Sequence, residues 1–226
     1  MPFAPPTGED MPRIDPIRTQ RLLIREFEPS DRQALLAIVR DPDQIKHMLL
    51  FLDTEGQLDA FLSMVIEGAR AEPRLQWHFA VEDAATGRYL GSCCLMVERD
   101  SPSSAELGYW FLREAWGKGY ATESSAAMLE LSFRRLGFHR VWGKCHTQNA
   151  ASAKVMEKLG MTYEGTLREH VWLRDHFRSS RIYGMLAGEY PAAAPAASAS
   201  GQKSGHVSVD ETPGRQGATR AHTRRM

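Results

Sequence analysis

The sequence predicts a mixed α/β domain. Three observations carry this: segments whose apolar residues alternate with period two, segments with helical apolar spacing between them, and turn or capping residues at the joins. Residues 21–27 alternate as a strand does, and Glu28-Pro29-Ser30-Asp31 then opens a helix with Leu35, Ile38 and Val39 along one side. Thr54 and Gln57 make a capping-box pattern, and Leu58, Phe61, Leu62, Val65 and Ile66 carry a second helix to about Arg70. Residues 77–82, 89–97 and 105–112 read as three strands of an antiparallel meander, the first two joined by the small-residue turn 83–87.

A long helix begins near Tyr120, sets Leu129, Phe133 and Leu136 in one stripe and ends at Gly137. Residues 140–146 form a short strand and 149–159 a helix closed by Gly160. Two further strands, 161–172 and 177–186, flank Arg174-Asp175-His176. The predicted order is βααβββαβαββ.

The flanks differ in kind. Residues 1–12, rich in proline and acid, and residues 191–226, running from Ala/Pro to Gly, Ser, Thr and Arg, hold too few large apolar side chains to offset the entropy of ordering. Both are expected to be disordered tails around a domain at 13–190, with Arg220, Arg224 and Arg225 solvated.

Composition narrows the function classes. The 226 residues are 42% hydrophobic and 25% charged, as expected for one globular core. Residues 1–190 carry 23 basic against 26 acidic side chains, so nucleic acid is not an expected partner. Cys93, Cys94 and Cys145 show neither a C-x-x-C pair nor zinc-like spacing with histidine, which predicts reduced thiols and no metal. No stretch approaches the ~20 apolar residues of a membrane span, and the N-terminus lacks a signal layout, so a cytoplasmic protein with no membrane partner is expected.

The chemistry concentrates at Trp116-Gly117-Lys118-Gly119-Tyr120-Ala121. Two glycines let main-chain N–H groups approach a ligand, and the loop opens a helix whose first turn has unpaired donors and the positive end of the dipole. Such a site suits a pyrophosphate. It is neither a G-x-x-x-x-G-K-[ST] loop nor a G-x-G-x-x-G fingerprint.

Two blocks, Ala105-Glu106-Leu107-Gly108-Tyr109-Trp110-Phe111 through Ala121-Thr122-Glu123 and the stretch from Asn149 through Ser152 and Lys158 to Met161, resemble motifs A and B of the GNAT N-acetyltransferase superfamily. Within it the sequence is similar to the RimJ/RimL-like branch, which acetylates protein N-terminal amines. The likeness runs from about Arg18, where Thr19-Gln20-Arg21-Leu22 resembles the opening strand, to about Leu186.

The resemblance implies a GNAT fold, a mixed and mostly antiparallel central sheet splayed at the cofactor cleft and flanked by about four helices. It implies acetyl-CoA as acetyl donor, with its pantetheine arm between the last strand of motif A and the strand at 140–146. Main-chain groups of Trp110, Phe111 and Leu112 would then pair with the arm's amides. Main-chain amides of Gly117, Lys118, Gly119, Tyr120, Ala121 and Thr122 would grip the diphosphate, with the Lys118 charge assisting. Trp116 replaces the Arg or Gln of the broad superfamily pattern and serves either the diphosphate or the core. Asn149 caps its helix or bonds the cofactor arm. It also implies that exposed strands can pair two copies into a homodimer.

For the transfer, many GNAT enzymes use a motif B tyrosine where this chain has Met156, so Ser152 is the expected stabiliser of the leaving thiolate. A main-chain N–H near Trp110 or Phe111 is the expected oxyanion donor. Glu106 is the expected general base, with a salt bridge to a residue such as Arg113 as its plain alternative. Val171 stands where some RimL-type enzymes use a glutamate, so Glu169, His170 and His146 are weaker candidates. The acceptor is a protein N-terminal amine or, alternatively, a small amine such as a polyamine, antibiotic or amino acid; a CoA-binding sensor without turnover is the third reading. Acceptor recognition is expected from residues 45–51 and from 174–176.

Overall fold

The computed structural model describes residues 14–41, 54–173 and 175–191. They fall in one unit, Met1–Pro191. The expectations for the tail at 1–12, for the tail at 191–226 beyond Pro191, for residues 45–51 and for Arg174 lie outside the described residues.

Among the described residues the chain runs β1 (Ile17–Arg18), β2 (Leu22–Glu26), α1 (Arg32–Val39), α2 (Glu55–Gly68), β3 (Gln76–Asp83), β4 (Tyr89–Glu98), β5 (Ser101–Phe111), α3 (Tyr120–Glu130), β6 (Arg140–His146), α4 (Ala150–Lys158), β7 (Thr162–Leu173) and β8 (His176–Leu186). The strands form one sheet in the order β1-β2-β3-β4-β5-β6-β8-β7. Every neighbouring pair is antiparallel except β5 and β6, which are parallel. The predicted order of helices and strands is met, with the two-residue β1 added at the edge.

Period-two alternation sends neighbouring side chains to opposite faces, and both faces are covered. One buries Leu22, Ile24, Trp77, Phe79, Cys93 and Leu107 against Met128 and Leu129 of α3 and Met156 of α4. The other buries Ala80 and Tyr89 against Leu35 and Ile38 of α1 and Leu58, Phe61 and Val65 of α2. Arg25, gripped by Glu82 and the buried Asp31, ties β2 to the 3-10 turn Pro29–Asp31 that leads into α1.

The capping box of α2 forms as its sequence predicts: Gln57 N–H donates to Thr54 Oγ1 at 3.2 Å and Thr54 N–H to Gln57 Oε1 at 3.0 Å. The helix from Tyr120 departs from its expected course. It is α-helical only to Glu130 and continues as a wider π turn over Leu131–Arg135. The Ser132 hydroxyl donates to Met128 O at 2.7 Å, and Leu136 N–H bonds back five residues to Leu131 O. A buried serine that feeds its own helix's carbonyl loosens the regular ladder, and the apolar spacing alone does not reveal that. Gly137, at φ 69°, ends the turn as predicted.

Candidate active site

β5 and β6 pair only over Ser104–Glu106 and Arg140–Trp142. Beyond Glu106 the two strands keep their outer partners, β5 with β4 as far as Phe111 and β6 with β8 as far as His146. A wedge therefore opens between their C-terminal halves. Because the strands are parallel, the helices that follow them, α3 and α4, both start at this end of the sheet, and each presents a positive dipole end there.

The main chain of β5 faces the wedge at alternate residues. Leu112 N–H donates to Leu90 O at 2.9 Å, so the even-numbered residues turn toward β4, and Leu107, Tyr109 and Phe111 turn toward the wedge. This corrects part of the expectation for the pantetheine contacts and the oxyanion donor. The Leu112 amide is already bonded and the Trp110 amide faces β4, which leaves Phe111 as the member of that trio facing the opening. The Trp110 side chain packs edge-on against Phe61 on the α2 face, ring centroids 5.9 Å apart.

At the head of α3 the glycine loop has the backbone its residues allow: Gly117 at φ 73° and Gly119 at φ 82° are left-handed. Glu123 N–H is the first in the helix to bond back, to Gly119 O at 3.0 Å, so Tyr120, Ala121 and Thr122 head the helix with N–H groups that have no intrahelical acceptor. A Cβ at Gly117 would meet nothing within 4 Å, so this side of the loop is open. Lys118 is exposed. Trp116 is 45% exposed, so it is not a core anchor. Its indole N–H donates to Phe111 O at 2.7 Å and fastens the loop to the end of β5.

A brace not expected from the sequence holds this loop. Arg21, just before β2, donates to Lys118 O at 2.9 Å and to Glu123 Oε2 at 2.7 Å, and its guanidinium lies 4.7 Å from the Tyr120 ring centroid. Thr19 adds a bond to Glu123 Oε1 at 2.6 Å. The Thr19-Gln20-Arg21-Leu22 and Ala121-Thr122-Glu123 stretches are both visible in the sequence, but nothing linear joins positions 102 apart. Arg21→Ala is expected to weaken CoA binding by calorimetry roughly three- to tenfold, with Arg21→Lys keeping most of that loss because a lysine lacks the planar fork.

At the head of α4, Asn149 Oδ1 accepts from Ser152 N–H at 3.0 Å, so Asn149 is the helix cap. The Ser152 hydroxyl is 2.8 Å from the Tyr109 hydroxyl, which crosses the wedge from β5. Met156 is buried, packed within van der Waals reach of Gly143, where an added Cβ would stand 3.1 Å from its sulfur.

Glu106 lies on the opposite face, where Lys144 Nζ sits 3.1 Å from each of its carboxylate oxygens. The ion-pair alternative is realised with a different partner from the one expected: Arg113 pairs with Asp41 at 2.9 Å. The reason is positional, since Glu106 is the last residue of β5 still beside β6, whereas Arg113 follows the end of the strand. Trp142, opposite Glu106, has a buried indole N–H with no acceptor among the described residues. Of the weaker candidates, His146 Nδ1 accepts from Gln148 N–H at 3.2 Å, Glu169 sits at φ 50° in an irregular part of β7, His170 is exposed, and Val171 pairs with Arg178.

The family described as "Acetyltransferase (GNAT) domain" matches residues 21–162. The chain belongs to the GNAT acetyltransferases. It is 30% identical over 174 residues to the uncharacterized N-acetyltransferase YnaD of Bacillus subtilis, covering 77% of this chain and 98% of that protein. The spermidine N-acetyltransferase of Vibrio cholerae, solved with CoA and spermine, shares the fold at a TM-score of 0.66 and 20% identity, over 76% of this chain and 99% of that one. RimL, a ribosomal L7/L12 alpha-N-protein acetyltransferase solved with CoA, shares it at 0.66 and 17%, over 74% and 95%. GNAT acetyltransferases take their acetyl group from acetyl-CoA, and among the described residues no helix of this one is long and apolar enough to cross a membrane.

Burial, reinforced by the Arg74 charge, pushes the His78 imidazole down to about 4 from its ordinary 6.5. The unfolded chain therefore binds a proton there that the folded one refuses, and stability falls as pH drops from about 6.5 toward 4. Thermal unfolding of His78→Gln is expected to show a shallower acid decline, the difference reaching up to ~3 kcal/mol near the lower end of the window. Parallel pH profiles for the two proteins would contradict the assignment.

Proposed function

We propose that this acetyltransferase transfers acetyl from acetyl-CoA directly to the N-terminal amine of a protein or peptide, in a ternary complex. The main-chain amides from Gly117 to Thr122 hold the diphosphate, and Lys118 adds a screened charge. The pantetheine arm lies in the wedge against the main chain of Tyr109 and Phe111, with the Asn149 amide beside it. The Ser152 hydroxyl meets the departing thiolate, and a main-chain N–H of β5 that faces the wedge receives the developing oxyanion. Glu106 takes the amine proton, through water, sharing its lone pairs with Lys144.

The observation that carries the cofactor part is the wedge itself, bordered by two helix starts and an open, left-handed glycine loop. For the acceptor, the support is charge: Glu106, beside the end of the β5–β6 pairing, is already neutralised by Lys144. A polycation gains little from such a pair, whereas a single N-terminal amine needs no acidic trough. Cytoplasmic peptides are the partners this reading implies, and pairing of two copies through exposed strands is compatible with it.

The test is a mass-spectrometric screen with acetyl-CoA and a panel of peptides beginning with Ser, Ala, Thr or Met, alongside spermidine and an aminoglycoside. Acetylation at peptide α-amines is the expected result. Turnover confined to spermidine or the drug would overturn the acceptor assignment, and CoA binding without turnover of any amine would favour a sensor.

A further inference from the structure

We propose that Lys144 is itself an acceptor: when no peptide is bound, its side-chain amine takes the acetyl group of bound acetyl-CoA, so the protein carries a self-acetylation site beside its own base. This rests on the reading above for the position of the thioester and the role of Glu106.

Lys144 stands two residues beyond Trp142, the last residue of β6 beside β5, so it rises from the rim of the wedge where the strands have already parted. Its side chain shares a face with Trp142, because residues two apart on a strand point the same way, and with Glu106, which Trp142 opposes across the ladder. Gly108, two residues beyond Glu106, is aligned through Cys94 with His78, whose ring packs against Phe61 of α2 at 5.7 Å. The lysine and the carboxylate are therefore on the α1–α2 side of the sheet. Ser152, at the head of α4, belongs to the other side.

The acetyl group is at the far end of the CoA arm from the diphosphate. An arm that starts at the glycine loop and passes Phe111 and Tyr109 brings that end toward the apex of the wedge. There Lys144 Nζ sits 3.1 Å from each Glu106 oxygen. A primary amine touching the group that takes the acceptor's proton stands where an acceptor must stand. The Lys144 side chain is 28% exposed, so it is not sealed in by its ion pair.

In the step, Glu106 takes one proton from the ammonium and the freed nitrogen lone pair bonds to the thioester carbonyl carbon. The C–S bond breaks, its electron pair goes to sulfur, and the second proton lost by nitrogen ends on that sulfur. The products are acetyl-lysine and CoA, and Glu106 returns its proton to water. Holding amine and thioester in one site raises their effective concentration far above that of any lysine in solution contact with free acetyl-CoA. Acetylation removes the lysine charge, which leaves Glu106 without the cation that neutralises it.

The full-length protein is incubated without acceptor in acetyl-CoA whose acetyl group is deuterated, and the labelled lysines are located by peptide mass spectrometry. Lys144 is expected to gain label at least about tenfold faster than the exposed Lys154 and Lys158 of α4, at a rate independent of protein concentration. Glu106→Gln should slow labelling of Lys144 by about 10- to 100-fold and leave the α4 lysines unchanged. Lys144→Arg, which keeps a cation beside Glu106, should lose the fast-labelling site. Label spread over the lysines according to exposure, or a Lys144 rate that Glu106→Gln does not alter, overturns the proposal. An unlabelled Lys144 in a protein that acetylates peptide N-termini overturns it too, and leaves the peptide reading standing. A protein that binds no CoA and labels no amine removes the cofactor site on which both rest.

Discussion

Gly119→Asp is expected to reduce CoA affinity by at least about a hundredfold, which calorimetry would register as loss of measurable binding. Two effects contribute, and their sizes decide which dominates. Gly119 sits at φ 82°, where a side chain costs on the order of 1–2 kcal/mol, but aspartate is among the residues that tolerate this region best. The larger effect is charge. A carboxylate within ~4 Å of a phosphate oxygen is repelled by ~4 kcal/mol at the effective dielectric of a protein surface.

The position that a Cβ would take lies 3.5 Å from Arg21 Nη2, so the new carboxylate would also draw the guanidinium from its bond to Lys118 O and loosen the loop. Gly119→Asn separates the effects, since it has the same shape and backbone tolerance without the charge, and it should lose far less affinity. Equal affinities for the parent and the aspartate variant would mean that the diphosphate does not lie at this loop.

Ser152→Ala is expected to lower kcat about 10- to 100-fold while changing the KM for acetyl-CoA less than about threefold. A hydrogen bond to a developing thiolate is worth most when the charge is present, that is, in the transition state rather than in the bound thioester. The fold should tolerate the change. The Asn149 cap bonds the main-chain N–H of Ser152, and Tyr109 keeps the Ser152 carbonyl as an acceptor. Steady-state kinetics with a peptide acceptor checks this, and an unaltered kcat would remove Ser152 from the chemistry.

Much of the architecture is legible in the residues because its signals are local. Thr54 and Gln57 announce a helix start that forms with both reciprocal bonds. Residues 140–146 alternate, and β6 occupies those same positions. Gly117 and Gly119 are spaced as a left-handed loop requires, and both adopt that backbone. The failures have local causes too. The π turn over Leu131–Arg135 arises from one hydroxyl, that of Ser132, turning back on the helix, and apolar spacing does not register a bond of that kind.

At the site, sequence order gives the cast but not the partners. Glu106 and Lys144 are 38 positions apart, and they meet only because β5 and β6 lie side by side at that level. Tyr109 reads as one more aromatic residue in a strand until the parting of β5 and β6 lets its hydroxyl reach Ser152. The choice among Trp110, Phe111 and Leu112 depended on which edge of β5 bonds to β4, and one hydrogen bond at Leu112 fixed it.

By itself the sequence determined the order of helices and strands, the loop built to face an anion and the family to which the chain belongs. Each of these follows from residues close along the chain, through period, capping and backbone freedom. The tertiary structure decided where two parallel strands part, which main-chain groups turn into the opening, and which side chains brace the loop and the serine. Those depend on contacts between residues far apart in the chain, which only the closed sheet and its two packed faces bring within bonding distance.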